Sequence, residues 1–187
     1  MKPNRLIFPL AIAGGAVLAL TACAGLMSSS PVGNTAVPQP AKPVDLNRYV
    51  GQWYEIGRYE NRFEKDCEGV TAQYRKRDDG EIEVINSCRK GSLSGPVKTV
   101  HGKAKILPGS DNAKLKVSFF GPFYVGDYWV LDHADDYSWS IVGEPSGRYL
   151  WLLSRTAQPD ELTRNTIEAR TRALGYDWSM VRMTRHE

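Results

Sequence analysis

Few side chains in this 187-residue sequence could do chemistry, and they are scattered along it. The histidines are His101, His133 and His186, and none stands at a spacing that would pair it with a nucleophile or a second metal ligand. Gly91-Ser92-Leu93-Ser94-Gly95 puts a leucine where a nucleophile elbow needs its central serine. Asp135-Asp136 reads as a solvated turn. Three cysteines remain, Cys23, Cys67 and Cys88, whose chemistry depends on the compartment they reach. No catalytic residue, cofactor or metal site is expected from this inventory.

The compartment is written at the N-terminus. Lys2 and Arg5 precede an unbroken apolar run from Leu6 to Leu20, a charged region followed by an apolar one, as in export signals. The run contains Pro9 and Gly14-Gly15, and its 15 residues fall short of the roughly 20 that a spanning helix needs. Residues 1–22 are therefore read as a signal peptide. Leu20-Thr21-Ala22-Cys23 resembles the lipobox of bacterial lipoproteins. That resemblance implies that Cys23 becomes the mature N-terminus, with a thioether-linked diacylglycerol and an amide-linked acyl chain such as palmitate. Two chains already hold a protein firmly on a bilayer, so three make a permanent anchor. Ala24, in place of an aspartate, implies lodging in the outer membrane, facing the periplasm.

From Cys23 to Val44 the chain is rich in serine, proline and glycine, with no apolar period, and reads as a flexible tether over residues 23–44. Residues 45–187 suffice for one domain with a real core. Losing the signal lowers the formal charge from +3 to +1, and the remaining Lys and Arg are interspersed with Asp and Glu, which excludes a nucleic-acid-binding face. Export places Cys67 and Cys88 where thiols oxidise, and a disulfide between them is expected. Two free thiols, with Cys67 as a nucleophile, form the rival reading.

Between Gly51 and Ser154 apolar and polar residues alternate, with turn residues every eight to twelve positions. Trp53–Tyr59, Val70–Tyr74, Ile82–Val84, Val100–Ile106, Leu115–Phe119, Tyr124–Leu131, Trp139–Val142 and Tyr149–Leu153 give eight strands. Pro159 to Gly175 then carries a helical period over about 15 residues, and Tyr176 to Met183 reads as a short ninth strand. One late helix fits neither βα units nor a bundle. The expected fold is all-β: an eight-stranded antiparallel up-and-down barrel with a C-terminal helix and a ninth strand, whose bore holds packed side chains or one small ligand.

Gly51-Gln52-Trp53 resembles the Gly-x-Trp signature of lipocalins, Asp127-Tyr128 stands where a second motif of that family falls, and Arg155 resembles its third. Trp53-Tyr54-Glu55-Ile56, Lys116-Val117-Ser118-Phe119-Phe120-Gly121-Pro122-Phe123-Tyr124 and Leu150-Trp151-Leu152-Leu153-Ser154-Arg155-Thr156 resemble the bacterial outer-membrane members more closely. Gly126 replaces the threonine usual before the second motif's aspartate. The resemblance implies a barrel closed at one end by Trp53 with Arg155 lying across it, and a hollow that takes fatty acids or lysophospholipids in envelope maintenance or stress.

Strand parity then nominates the lining. Arg155 places Leu153, Trp151 and Tyr149 on one face of the eighth strand, and Leu115, Val117 and Phe119 share a face of the fifth. Tyr128 and Tyr149 are candidates to offer hydroxyls to a head group near the open end. The alternatives are a structural lipoprotein whose barrel is packed shut, with a homodimer among its options, and a lipocalin-type enzyme using Cys67.

Overall fold

A computed structural model of the chain describes residues 30–187, so the signal peptide, Cys23 and the start of the tether lie outside the described residues. The alternating segments become β1 (Gly51–Tyr59), β2 (Cys67–Lys76), β3 (Ile82–Lys90), β4 (Val97–Ile106), β5 (Lys114–Ser118), β6 (Gly126–His133), β7 (Trp139–Gly143) and β8 (Leu150–Ser154). Each pairs antiparallel with the next, β8 returns to β1, and β1 also pairs with β2, so the sheet closes as expected. Closure satisfies the hydrogen-bonding groups that an open sheet would expose at its two edges. β6 starts at Gly126 rather than Tyr124, because a Phe120–Phe123 bridge tightens the preceding loop.

The period of two divides the side chains into two apolar clusters. Trp53, Tyr74, Val84, Leu115, Val117, Val142 and Leu153 face inward. Ile56, Leu131, Ile141, Leu150 and Leu152 face outward and are covered by α2 (Glu161–Ala173) through Ile167. Asp160 caps α2 by accepting from the Thr163 N–H at 2.7 Å, and Gly175, at φ 88°, takes the left-handed turn beyond its end. A four-residue helix, α1 (Leu46–Tyr49), is too short to leave a period in the sequence.

Strand β1 divides its pairing. Its first half, from Gly51 to Tyr54, pairs with β2, and its second half, from Gly57 to Tyr59, pairs with β9 (Val181–Met183). The C-terminal segment therefore fills the gap left between β1 and β2. The Gly69 N–H donates to the Arg185 carbonyl at 2.8 Å, and the Thr184 N–H to the Ile56 carbonyl at 3.1 Å. Polar side chains line this seam. Arg58, fully buried, donates to Glu55 at 2.7 Å and to the Glu64 carbonyl at 2.9 Å, while Glu68 accepts from Arg182 at 2.5 Å and from the Arg185 N–H at 2.9 Å. Cys67 and Cys88 are joined, with their Cα atoms 5.5 Å apart, which ties β2 to β3 at the same end and removes the free thiol that an enzyme reading needs.

The tether is shorter than its composition suggests. Residues 30–44 lie against the outer wall without helix or strand. The N–H groups of Gly33 and Asn34 donate to the Gly147 carbonyl at 2.9 and 3.2 Å, Asn34 Nδ2 donates to the Leu174 carbonyl, and buried Val44 donates its N–H to Asp111. Gly33 sits so close to Tyr59 that a Cβ there would lie 2.2 Å from the ring. Backbone hydrogen bonds and single close approaches hold this strap, and neither leaves a period of apolar residues to read.

The seam should loosen in acid. Burial pushes the Glu68 carboxyl up, but the Arg185 N–H and the guanidinium groups of Arg182 and Arg185 outweigh it and leave the group below its usual range. A depressed carboxylate contributes stability that is present above its unfolded pKa of about 4.3 and is lost as pH falls through the folded value. The opening free energy reported by exchange of the Gly69 and Thr184 amides should fall between about pH 5 and pH 3. Burial raises Glu55, which contributes with the opposite sign, so Glu68→Gln is the informative comparison. An unchanged acid dependence in that variant would contradict the assignment.

Candidate ligand-binding site

One end of the barrel is closed by α1 and two side chains. Trp53 is fully buried and donates its indole N–H to the Tyr49 carbonyl at 2.8 Å. The Arg155 guanidinium lies 3.7 Å from the centroid of the Trp53 ring. It also donates to the carbonyls of Arg48 at 2.6 Å, Tyr49 at 3.1 Å, Val50 at 3.1 Å and Gln52 at 2.8 Å. The first three of these carbonyls lie where α1 ends, and a helix end leaves such groups without intrahelical partners. Arg155 satisfies them and places a cation at the negative end of the helix. Gly51 passes beneath at φ 101°, and a Cβ there would lie 3.3 Å from Arg155 Nη1.

The second motif needs correcting. Asp127 is the second residue of strand β6, outside the plug, and its carboxylate pairs with Lys116 at 2.7 Å. The Asp-Tyr pair at the closed end is Asp136-Tyr137, in the connection read above as a mere solvated turn. Tyr137 accepts from the Asp45 N–H at 2.8 Å, its carbonyl accepts from Arg155 Nε at 3.3 Å, and Arg48 lies 4.5 Å above its ring. In an up-and-down barrel the connection from β6 to β7 is at the same end as the start of β1. The start of β6 is at the opposite end. Counting strands would have found the right pair.

Above the plug, five of the seven nominated residues, Leu115, Val117, Tyr128, Trp151 and Leu153, share the inner cluster. Val117 pairs with Ala104, Leu115 with Tyr128, and Val142 with Trp151, and Leu153 joins the same cluster. The Phe119 ring lies over Gly102, where a Cβ would come within 2.6 Å of it. Tyr149 stacks on Trp151 with ring centroids 5.8 Å apart, and Phe63 of the β1–β2 loop approaches Tyr149 at 6.1 Å. The wall is not packed shut. Inward-facing Phe119 and Val100 each keep 38% of their surface accessible, and Tyr128 and Trp151 are only half-buried.

Tyr128 does not serve the open end, as had been expected from its sequence. Its hydroxyl lies 2.9 Å from that of Tyr49 and 3.1 Å from that of Tyr74, and Tyr49 continues to Ser140 at 3.1 Å. The chain of hydroxyls forms the floor of the cup. Burial pushes the Tyr49 phenol up to about 12 and drives Tyr74 and Tyr128 higher as well, so the floor is uncharged at neutral pH. Tyr149 stays near the rim.

Alternation alone did not reveal the polar groups of the upper wall. Asn86, opposite Ala72 and Val100, has a buried Oδ1 with no partner among the described residues. Lys98, opposite Cys88, faces inward at the exposed rim and has no carboxylate partner among the described residues. The Trp151 indole N–H donates to Glu64 at 2.8 Å, holding the β1–β2 loop over one side of the mouth. Lys98 and Asn86 share a face with Val84 and were discoverable by the same parity that found Val117.

Compared with known proteins, residues 44–186 match a family model described as a lipocalin-like domain. The chain is 40% identical over 174 residues to outer membrane lipoprotein Blc of Escherichia coli K12, covering 92% of this chain and 93% of that one. It is 45% identical over 128 residues to the protein of the same name from Vibrio cholerae, covering 66% and 74% of the two. Insecticyanin from the tobacco hornworm shares the fold, with a TM-score of 0.67 at 22% identity over 84% of this chain and 88% of that one.

Two substitutions probe the closed end. Arg155→Ala removes the cation over the indole and leaves several carbonyls unpaired, which should cost about 2–4 kcal/mol in chemical denaturation. Arg155→Lys should recover less than half of this, since one ammonium cannot reproduce the fork. Tyr128→Phe removes the hydroxyl shared by Tyr49 and Tyr74 and should cost about 1–3 kcal/mol. Equal stability of Tyr128→Phe and the parent chain would rule out a structural hydroxyl floor.

Proposed function

The chain belongs to the lipocalin family, and from that premise we propose that it is a lipid-anchored outer-membrane carrier of single-chain lipids, fatty acids or lysophospholipids, in the cell envelope. The observation that carries this reading is an apolar inner wall, with accessible surface on Phe119, Val100 and Trp151, above a floor sealed by Trp53 and Arg155. An alkyl chain of about 14 methylenes gains roughly 11 kcal/mol on burial. Association and ordering cost about 4–15 kcal/mol, so at the low end of that cost about 7 kcal/mol remains, roughly 10 μM affinity without an ion pair inside the cup.

The polar groups favour a lysophospholipid. Arg58 is consumed by Glu55 and by backbone carbonyls, and Glu64 lies beside Trp151, so a fatty-acid carboxylate entering deeply would meet acids rather than a free cation. Lys98 at the rim suits a phosphate, and the unpartnered Asn86 oxygen suits a ligand hydroxyl that can donate to it. Anchoring through Cys23 is supported by the lipobox and by relatives named outer membrane lipoproteins. With Cys67 in a disulfide, the thiol that a lipocalin-type enzyme would use is not free.

A fluorescent fatty-acid probe displaced by lysophospholipid from the delipidated chain tests the reading. Leu115→Trp, which fills the cup, should weaken uptake at least tenfold, or about 1.4 kcal/mol, with folding retained. Asn86→Ala should weaken lysophospholipid by about fivefold and leave a fatty acid unaffected. If the parent chain takes up neither ligand, the carrier reading is wrong.

A further inference from the structure

The two ends of the barrel differ in character. The most exposed large apolar side chains among the described residues are Phe120 at 81%, Val125 at 80%, Leu162 at 76%, Phe123 at 70%, Val97 at 60% and Phe63 at 54%. All but Leu162 belong to the loops or strand ends around the mouth. Exposed Arg62, Lys65, Arg89 and Lys98 stand among them, with no carboxylate partner among the described residues. The turns of the closed end instead carry Asp78, Asp79, Asp111, Asp135 and Asp136. The mouth is aromatic and carries unpaired cations, with exposed Asp66 beside Lys65, whereas at the closed end Asp79 and Asp135 are paired with Arg77 and Lys42 and the turns carry no large exposed apolar side chain among the described residues.

The strap fixes where the anchored chain leaves the domain. Gly33 and Asn34 bind Gly147 in the β7–β8 loop, and Ser30 accepts a hydrogen bond from Arg148 in the same loop. The exit is therefore at the rim of the mouth. Six residues separate Cys23 from Ser30, a reach of at most about 25 Å. A ten-residue strand such as β4 extends about 33 Å along itself and, at the tilt of barrel strands, about 25 Å along the axis, so a domain standing closed end down would use the anchor's whole reach.

We propose that the rim of the mouth docks on a bilayer surface containing anionic phospholipid, with Phe120, Phe123 and Val125 entering the interface and Arg62 and Lys65 meeting head groups. Apolar side chains beside cations are the composition that lies in such an interface. Docked in this way, the cup opens onto the layer that supplies its ligand, and a lipid passes between them without crossing water. The proposal rests on the carrier reading for its purpose but not for its geometry.

The test uses the acylated chain reconstituted in vesicles of phosphatidylethanolamine and phosphatidylglycerol. A single environment-sensitive fluorophore is attached through Phe123→Cys or Leu162→Cys. The fluorophore at 123 should shift to the blue and lose most of its emission to nitroxide-labelled lipid, whereas that at 162 should do neither. Arg62→Glu with Lys65→Glu, or vesicles of phosphatidylcholine alone, should reverse most of the shift. A label at 123 that stays in water overturns the proposal. So does one shielded from water but untouched by lipid quencher and cross-linked to position 123 of a second copy, which would make the mouth a dimer interface. Lipid uptake is measured separately on the unacylated Cys23→Ser chain carrying Phe120→Ser and Phe123→Ser. Unchanged affinity is expected there, and uptake lost by the Cys23→Ser chain itself would count against the carrier reading while leaving the docking result intact.

Discussion

The contact between Arg155 and Trp53 makes the barrel into a cup. A barrel of eight strands has two ends, and without a stopper at one of them its bore would be a short channel. A single guanidinium covers an indole face and gathers the carbonyls at the end of α1, so the stopper is held by a helix terminus, a cation and an aromatic ring at once. The tyrosine floor rests on this end, and the aromatic rim opens onto a cup only while it stays shut.

The upper half solves a different problem. Where β1 leaves β2, the wall would open into water, and the C-terminal segment fills the opening with charged groups rather than apolar ones. Buried ion pairs contribute little net stability when they are made and cost several kcal/mol when one partner is lost. Such a seam specifies a single register more than it strengthens the fold. The disulfide from Cys67 to Cys88 lies beside it and braces the same rim.

The barrel was legible because burial on one face imposes a period of two, and Val70 to Tyr74 or Trp151 to Leu153 cannot satisfy it in another conformation. The same parity singled out Leu115, Val117, Trp151 and Leu153, which pack in the inner cluster. Depth was not legible. Tyr128 faces inward as read, yet its height in the barrel depends on which way β6 runs, and the same omission transferred the closing motif from Asp136-Tyr137 to Asp127-Tyr128. α1 and the strap escaped notice for a related reason, since four residues or isolated glycine contacts produce no pattern. Nothing local signals the burial of Glu55 and Arg58, because they share a partner, Thr184, more than a hundred residues away.

The shared pairing of β1 also bears on when this protein can assume its shape. Its earliest strand waits for β8 and β9, so the wall lacks its final staves until nearly the whole chain has been synthesised. A nascent chain with such distant partners gathers its contacts late and slowly. Until β8 and β9 are in place such a chain has staves but no vessel.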